Sequence, residues 1–187
     1  GCGLMGRGIA QVCAAAGYRT VVREVNEERL QRGLAAIASN MARAVDKGKL
    51  QAADVEATRA NLRGTTKVAD LAGCDLVIEA ATEDLAVKKA LFAELDALLG
   101  PAALLASNTS SLTIVELAAA TLRPDRVLGL HFFNPVPVMQ LVEVVRSITT
   151  SEATVAAATA FARSLGKEVV ETKDSTGFVV NRLLVPY

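Results

Sequence analysis

The sequence has no tryptophan, one histidine, three cysteines and five prolines in 187 residues. Each scarcity excludes something. Cys2, Cys13 and Cys74 are odd in number and form no C-x-x-C pair, so a disulfide scaffold is excluded and a reducing compartment is expected. With a single histidine and scattered cysteines there is no His/Cys set for zinc, and we expect no metal. Neither sign of charge is in excess: 20 Lys+Arg balance 20 Asp+Glu. That balance, with a pI near 6.8, argues against an electrostatic nucleic-acid binder. No apolar run approaches the roughly 20 residues that a membrane helix needs. No G-x-S-x-G elbow is present, and no cysteine has an obvious histidine neighbour, so nucleophilic catalysis has no candidate. Any imidazole chemistry must use His131.

What is present is apolar: 51% hydrophobic residues and a mean hydropathy of +0.34, enough for a real core in a chain of one-domain length. Short β-rich runs alternate with longer helical runs, which predicts an α/β fold with a mostly parallel sheet covered by helices. Helices are expected at Met5–Ala16, Ala52–Leu62, Leu85–Leu98, Thr113–Ala120 and Glu152–Leu165. Leu30, Leu34, Ile37, Met41 and Val45, spaced by four, three, four and four, mark one face of a further long helix. Strands are expected at Thr20–Glu24, Thr65–Val68, Asp75–Ala80, Ala103–Ser107, Val127–His131, Leu141–Val145 and Glu168–Glu171. Asn181–Tyr187 reads as the start of another helix. No Pro-, Gly- or Ser-rich linker divides the chain.

Three places carry chemistry. Gly1-Cys2-Gly3-Leu4-Met5-Gly6 fits G-x-G-x-x-G, in which glycines permit a tight turn, a close phosphate and close helix packing. A helix N-terminus then offers unpaired N–H groups and a favourable dipole to a pyrophosphate. The same pattern also arises as a plain structural turn in an Ala/Gly-rich chain. Glu24 follows Gly6 by 18 residues, at the end of the expected second strand. There it can accept from ribose hydroxyls and repel a 2′-phosphate, favouring NAD over NADP, or it can be a solvated strand end. Arg23 beside it softens that preference. Next, His131 ends an apolar strand and precedes Phe132-Phe133-Asn134-Pro135, while Glu143 interrupts the apolar run Leu141–Val145. A carboxylate among apolar neighbours is costly unless paired. A contact between Glu143 and His131 would orient the ring and steady its protonated form. A backbone-bonded core histidine with an outward Glu143 is the alternative. Finally, Ser107-Asn108-Thr109-Ser110-Ser111 can bind a carboxamide or a substrate oxygen, or simply cap the following helix.

Taken together, GCGLMGRGIAQVCAAAG, VIEAATEDLAVKKALFAELD, ASNTSSL, GLHFFNPVPVMQLVEVV and DSTGFVVNRLLVPY resemble the L-3-hydroxyacyl-CoA dehydrogenase family over nearly the whole chain. The resemblance implies a Rossmann-type doubly wound sheet with a helical-hairpin insertion. It implies NAD-dependent oxidation of an (S)-3-hydroxyacyl-CoA to a 3-ketoacyl-CoA, in fatty-acid or butanoate metabolism, β-oxidation included. On it, His131 is the base, Glu143 supports it, and Ser110 and Asn181 lie near the substrate oxygens. Gly1, Gly3, Leu4, Met5 and Gly6 hold the cofactor with Glu24, Glu83, Lys88, Ser110 and Asn134. Lys47 falls where the family meets CoA phosphates, or is an ordinary solvated lysine; Asn40 falls where some members carry a serine near CoA. The implied domains are 1–178, binding NAD, and 179–187, opening a helical C-terminal domain that is otherwise missing.

The chain begins Gly1-Cys2-Gly3 with no initiator methionine, and both ends are expected to be cut points, with a first strand lost before Gly1. A cytoplasmic homodimer assembled through the missing domain is expected, with little turnover in the piece alone. Alternatives are a hydroxy-acid dehydrogenase that does not use CoA, a non-catalytic crystallin-like member, or one module of a larger fatty-acid oxidation protein.

Overall fold

The computed structural model describes residues 1–184. The chain folds into two compact units. The first comprises residues 1–71 and 134–139; the second comprises 72–133 and everything from Gln140 onward. The expected division at 178/179 falls inside the second unit.

In the first unit, α1 (Leu4–Ala15) leads to β1 (Thr20–Arg23), α2 (Glu27–Asp46), α3 (Ala52–Ala60) and β2 (Leu62–Thr65), which pairs parallel to β1. α2 and α3 form the helical hairpin. The α2 stripe faces inward as its period requires: Leu30, Ile37 and Met41 are buried with Cys2, Ala10, Val22 and Val55, and Leu34 and Val45 pack alongside. Asn26 accepts from the Arg29 amide to cap α2, with Glu27 and Glu28 in the first turn, favourable to the dipole.

The strand expected at Thr65–Val68 lies three residues earlier. Asn61 closes α3 and donates from Nδ2 to the Ala14 carbonyl, so Leu62 enters the core at once. Thr65 then donates its hydroxyl to Asp70, and the chain turns into a 3₁₀ segment, Val68–Leu71. Arg63-Gly64 carries no strand signature, which hid the true position.

The second unit holds a five-stranded sheet in the order β3 (Leu76–Glu79), β4 (Leu104–Ser107), β5 (Val127–Phe132), β6 (Leu141–Arg146), β7 (Glu168–Lys173). All pairs are parallel except β5 with β6. α4 (Leu85–Leu98), α5 (Ile114–Ala118), α6 (Glu152–Ser164) and α7 (Val180–Leu184) complete it. All six residues of β5 are buried, as the near-continuous apolar run of a central strand demands. Phe92, Leu95, Leu105, Leu117, Leu128, Leu130, Val142 and Val144 make its core. The helix expected to 187 is described only as far as Leu184; the rest of that expectation lies outside the described residues. No helix among the described residues is long and apolar enough to cross a membrane.

Candidate active site

In the second unit, the antiparallel register places His131 directly opposite Glu143. His131 Nδ1 lies 2.7 Å from Glu143 Oε2. A carboxylate can only accept, so Nδ1 carries the proton and Nε2 is the nitrogen able to take one. Glu143 is wholly buried, and His131 is 6% exposed. The carboxylate is satisfied on its other side too: Oε1 accepts the backbone amides of Val179 and Val180, each at 3.0 Å. Each bond to a charged group is worth about 1.5–3 kcal/mol, and together they offset the desolvation of a buried anion. These two amides follow Phe178, which is buried at φ +47° with its ring centroid 5.5 Å from that of His131; Phe133 approaches the imidazole to 4.5 Å. The two amide donors have no signature in the sequence, because backbone groups have no letter.

The Ser107–Ser111 turn leaves the carboxyl end of β4. Ser110 is half-buried; its amide donates to Glu83 Oε1 at 3.2 Å, and its carbonyl accepts from Asn181 Nδ2 at 3.2 Å. Ser110 and Asn181, 71 residues apart, thus touch. Glu83 also accepts the hydroxyls of Thr109 and Ser111. Burial pushes the Glu83 carboxyl up, but those donors and the nearby Lys88 outweigh it and hold the group below its ordinary range. Lys88, expected at the cofactor, is 1% exposed, and its ammonium is engaged by Glu79 Oε1 and Oε2 at 2.7 and 2.8 Å. Glu79 was not foreseen, although an acid inside the strand run Asp75–Ala80 was the available signal. Asn108 accepts the Phe132 amide at 2.9 Å and ties β4 to the residue after His131. Asp174 caps α5 through the amides of Ile114 and Val115.

The first unit carries Gly1, Gly3, Leu4, Met5, Gly6, Glu24, Asn40, Lys47 and Asn134. Its glycine turn suits an anion. Gly3 is the N-cap of α1, with no side-chain cap and no acid in the first turn, whereas α2, α4 and α6 are capped by Asn26, Asp84 and Ser151. The space a Cβ on Gly3 would take is open, with nothing within 4 Å. Gly3 and Leu4 are exposed, Met5 is half-buried, and Gly6 is buried in the first turn. The close approach to a neighbouring segment is seen at Gly8, where a Cβ would stand 2.9 Å from Val136 Cβ. Glu24 folds over the turn: Oε2 accepts the Cys2 amide at 2.8 Å and Oε1 the Val25 amide at 2.7 Å. Burial raises the Glu24 carboxyl, yet these amides and the positive charges near it bring it below its ordinary range, so it stands ionised. An uncapped helix start, an open glycine and an anionic acceptor at the end of β1 fit a dinucleotide such as NAD. Asn134 is exposed, in a turn opened by a cis Asn134–Pro135 bond. Lys47 is exposed at the C-cap of α2. Asn40, two turns earlier on the same helix, accepts from Arg43 at 2.9 Å. Cys2, Cys13 and Cys74 form no disulfide, and no cluster of three metal-ligating side chains occurs among the described residues.

A family model described as "3-hydroxyacyl-CoA dehydrogenase, NAD binding domain" matches residues 1–175. A 3-hydroxybutyryl-CoA dehydrogenase of Bradyrhizobium diazoefficiens is 47% identical over 186 residues, covering 100% of this chain and 64% of that protein. One from Mycobacterium tuberculosis is 51% identical over 189 residues, covering 100% and 66%. The crystal structure of (S)-3-hydroxybutyryl-CoA dehydrogenase from Ralstonia eutropha superposes with a TM-score of 0.97 at 46% identity, again over 100% of this chain and 66% of that one. The chain therefore spans about two thirds of the length of these relatives. Its fold is that of the Rossmann-type dehydrogenases, and the chain belongs to the 3-hydroxyacyl-CoA dehydrogenase family, whose NAD-binding domain it matches.

Proposed function

We propose that this chain is the cofactor-binding part of an NAD-dependent 3-hydroxyacyl-CoA dehydrogenase, which interconverts an (S)-3-hydroxyacyl-CoA and a 3-ketoacyl-CoA. The observation that carries the reading is the buried pair of His131 Nδ1 and Glu143 Oε2 at 2.7 Å. It leaves Nε2 as a base on a ring that cannot turn. His131 takes the proton of the substrate hydroxyl, and Glu143, held by the Val179 and Val180 amides, steadies the imidazolium that forms. NAD, when bound, supplies the hydride acceptor. Ser110 and Asn181, joined by their own hydrogen bond, orient the substrate oxygen. The glycine turn binds the pyrophosphate, Glu24 binds the adenosine ribose and disfavours a 2′-phosphate, and Glu83, Lys88 and Asn134 border the cofactor. Lys47 meets the phosphates of CoA, its exposure supporting this; Asn40, occupied by Arg43, contributes less.

The extra third of the relatives supports a helical domain following residue 178, through which the full-length protein dimerises and closes over the acyl chain. Without that domain, residues 1–187 alone should turn over little. A role in β-oxidation follows from the substrate, and a cytoplasmic location is supported by three cysteines without a disulfide.

The test is nicotinamide absorbance with full-length protein, NAD and NADP, 3-hydroxyacyl-CoAs of several lengths and free 3-hydroxy acids. Turnover of the thioesters with NAD is the expected result. Turnover of the free acids alone would shift the reading to a dehydrogenase that does not use CoA, and no turnover at all would overturn it.

A further inference from the structure

The dyad makes no use of one buried acid. Glu79 ends β3, is 3% exposed, and lies in register with Ser107 of β4. Its four bonds fill both oxygens. Oε1 accepts the Ala81 amide at 2.5 Å and Lys88 Nζ at 2.7 Å; Oε2 accepts Lys88 Nζ at 2.8 Å and the Ser107 hydroxyl at 2.7 Å. The Ser107 oxygen in turn accepts the Thr109 amide at 3.1 Å. Lys88 also stands 3.3 Å from Glu83 Oε2, while Glu83 Oε1 receives the Thr109 hydroxyl, the Ser110 amide and the Ser111 hydroxyl. One buried ammonium thus joins two carboxylates, and the turn that presents Ser110 hangs from both.

A buried ion pair is a poor device for stability alone, since an apolar pair of equal volume commonly does as well or better. What a fully satisfied network provides is a single geometry. We propose that Glu79 is a positioning residue for the reaction: by taking the Lys88 ammonium and the Ser107 hydroxyl together, it fixes the 107–111 turn and hence Ser110. The inference rests on the assignment of Ser110 to the substrate oxygen. Loss of the Glu79 charge frees Lys88 to move toward Glu83 and loosens Ser107 in the same step, so both supports of the turn change.

The test uses the full-length protein with 3-hydroxyacyl-CoA and NAD. Glu79→Gln is expected to lower kcat about 10- to 100-fold, the scale of a misplacement near 1 Å, with a smaller change in KM. Ser107→Ala, which keeps Lys88 on Glu79, is expected to fold with a modest loss of melting temperature and to lower kcat in the same direction. It decides the question if Glu79→Gln does not fold. The double variant should lose little more than Glu79→Gln alone, because both act through one bond. Wild-type kcat in Ser107→Ala, or additive losses in the double variant, would overturn the inference. Ser110→Ala separates the two levels. If it is impaired while Ser107→Ala is not, the inference fails and the assignment of Ser110 stands; if it turns over normally, the assignment itself fails.

Discussion

The two units solve opposite problems. In the first, the groups proposed for the cofactor are backbone amides, open space above Gly3, and a half-buried Glu24 at the rim. In the second, the polar groups are sealed in: Glu143, Glu79 and Lys88 are nearly inaccessible and satisfied by one another, by His131 and by amides. Binding a large polar ligand needs unfilled hydrogen-bonding capacity, so the first unit leaves its helix start uncapped. Aiming a proton acceptor needs rigidity, so the second unit spends buried charge. The lesson is that stability and activity should separate in the first unit and travel together at the buried acids of the second.

The largest effect on turnover is at His131, and Glu143 beside it tests the second half of that statement. His131→Gln should reduce kcat by about 10²- to 10⁴-fold in the full-length protein, while the change in melting temperature stays small because glutamine can still face Glu143. Glu143→Ala should lower kcat too and, unlike His131→Gln, lower stability with it. It removes a carboxylate that three donors share, leaves the Val179 and Val180 amides unpaired, and should cost about 3–5 kcal/mol on denaturation as well as activity. A Glu143→Ala protein as stable as wild type would break the link between burial and catalysis.

Two glycines sharpen the first half. A Cβ on Gly33 would lie 2.2 Å from Cys2 Sγ and 2.7 Å from the Cys2 carbonyl oxygen, so Gly33→Ala must displace α2 or the glycine turn and should cost about 1–3 kcal/mol. A Cβ on Gly3 meets nothing within 4 Å, and its φ of −70° suits any residue. Gly3→Ala should therefore melt like wild type and yet bind NAD weakly, its methyl standing where the pyrophosphate is to come. Equal melting temperatures for the two variants, or undiminished NAD binding by Gly3→Ala in titration calorimetry, would erase the distinction.

Much of this was legible in the sequence because it is periodic or compositional. The α2 stripe and the α4 limits appear where the spacing puts them, since burial of an apolar face dictates both. The meeting of Glu143 with His131 could be read because a carboxylate in an apolar strand requires a partner, and there was one imidazole to choose. What could not be read were bonds made by the main chain and by distant pairs: the amides on Glu143, the Asp174 cap on α5, and the reach of Asn181 to Ser110. Those depend on where segments 36 to 71 residues apart come to rest, which no local pattern encodes. The position of β2 was missed for the converse reason: Leu62–Thr65 is a strand by virtue of its neighbours, not its composition.

A smaller effect belongs to Glu24. It is held at the half-buried rim by the Cys2 and Val25 amides, of which exposed Val25 can be met by water once it is gone, so Glu24→Ala should cost stability only modestly. It should weaken NAD and relax discrimination against NADP, with Arg23 next to it now able to face a 2′-phosphate. An unchanged NAD/NADP preference in steady-state kinetics would remove Glu24 from the ribose.

The smallest effect is one of pH, and it compares the units directly. Glu24 and Glu83 both lie below the ordinary carboxylate range in the folded chain. A group whose pKa falls on folding contributes stability that is fully present above its unfolded value and is lost as pH drops through the folded one. Both contributions are therefore intact near neutrality and fade below about pH 4. Glu83 is held by three donors and the Lys88 ammonium, whereas Glu24 has two amides and looser charges around it. Solvent screening keeps each contribution modest, since both side chains retain contact with water. Urea denaturation from pH 6 to pH 3 should show a flatter acid slope for Glu83→Gln than for wild type, with Glu24→Gln between them. An acid slope that Glu24→Gln flattens more than Glu83→Gln would mean that the rim of the first unit, and not the sealed network of the second, carries the acid sensitivity of the fold.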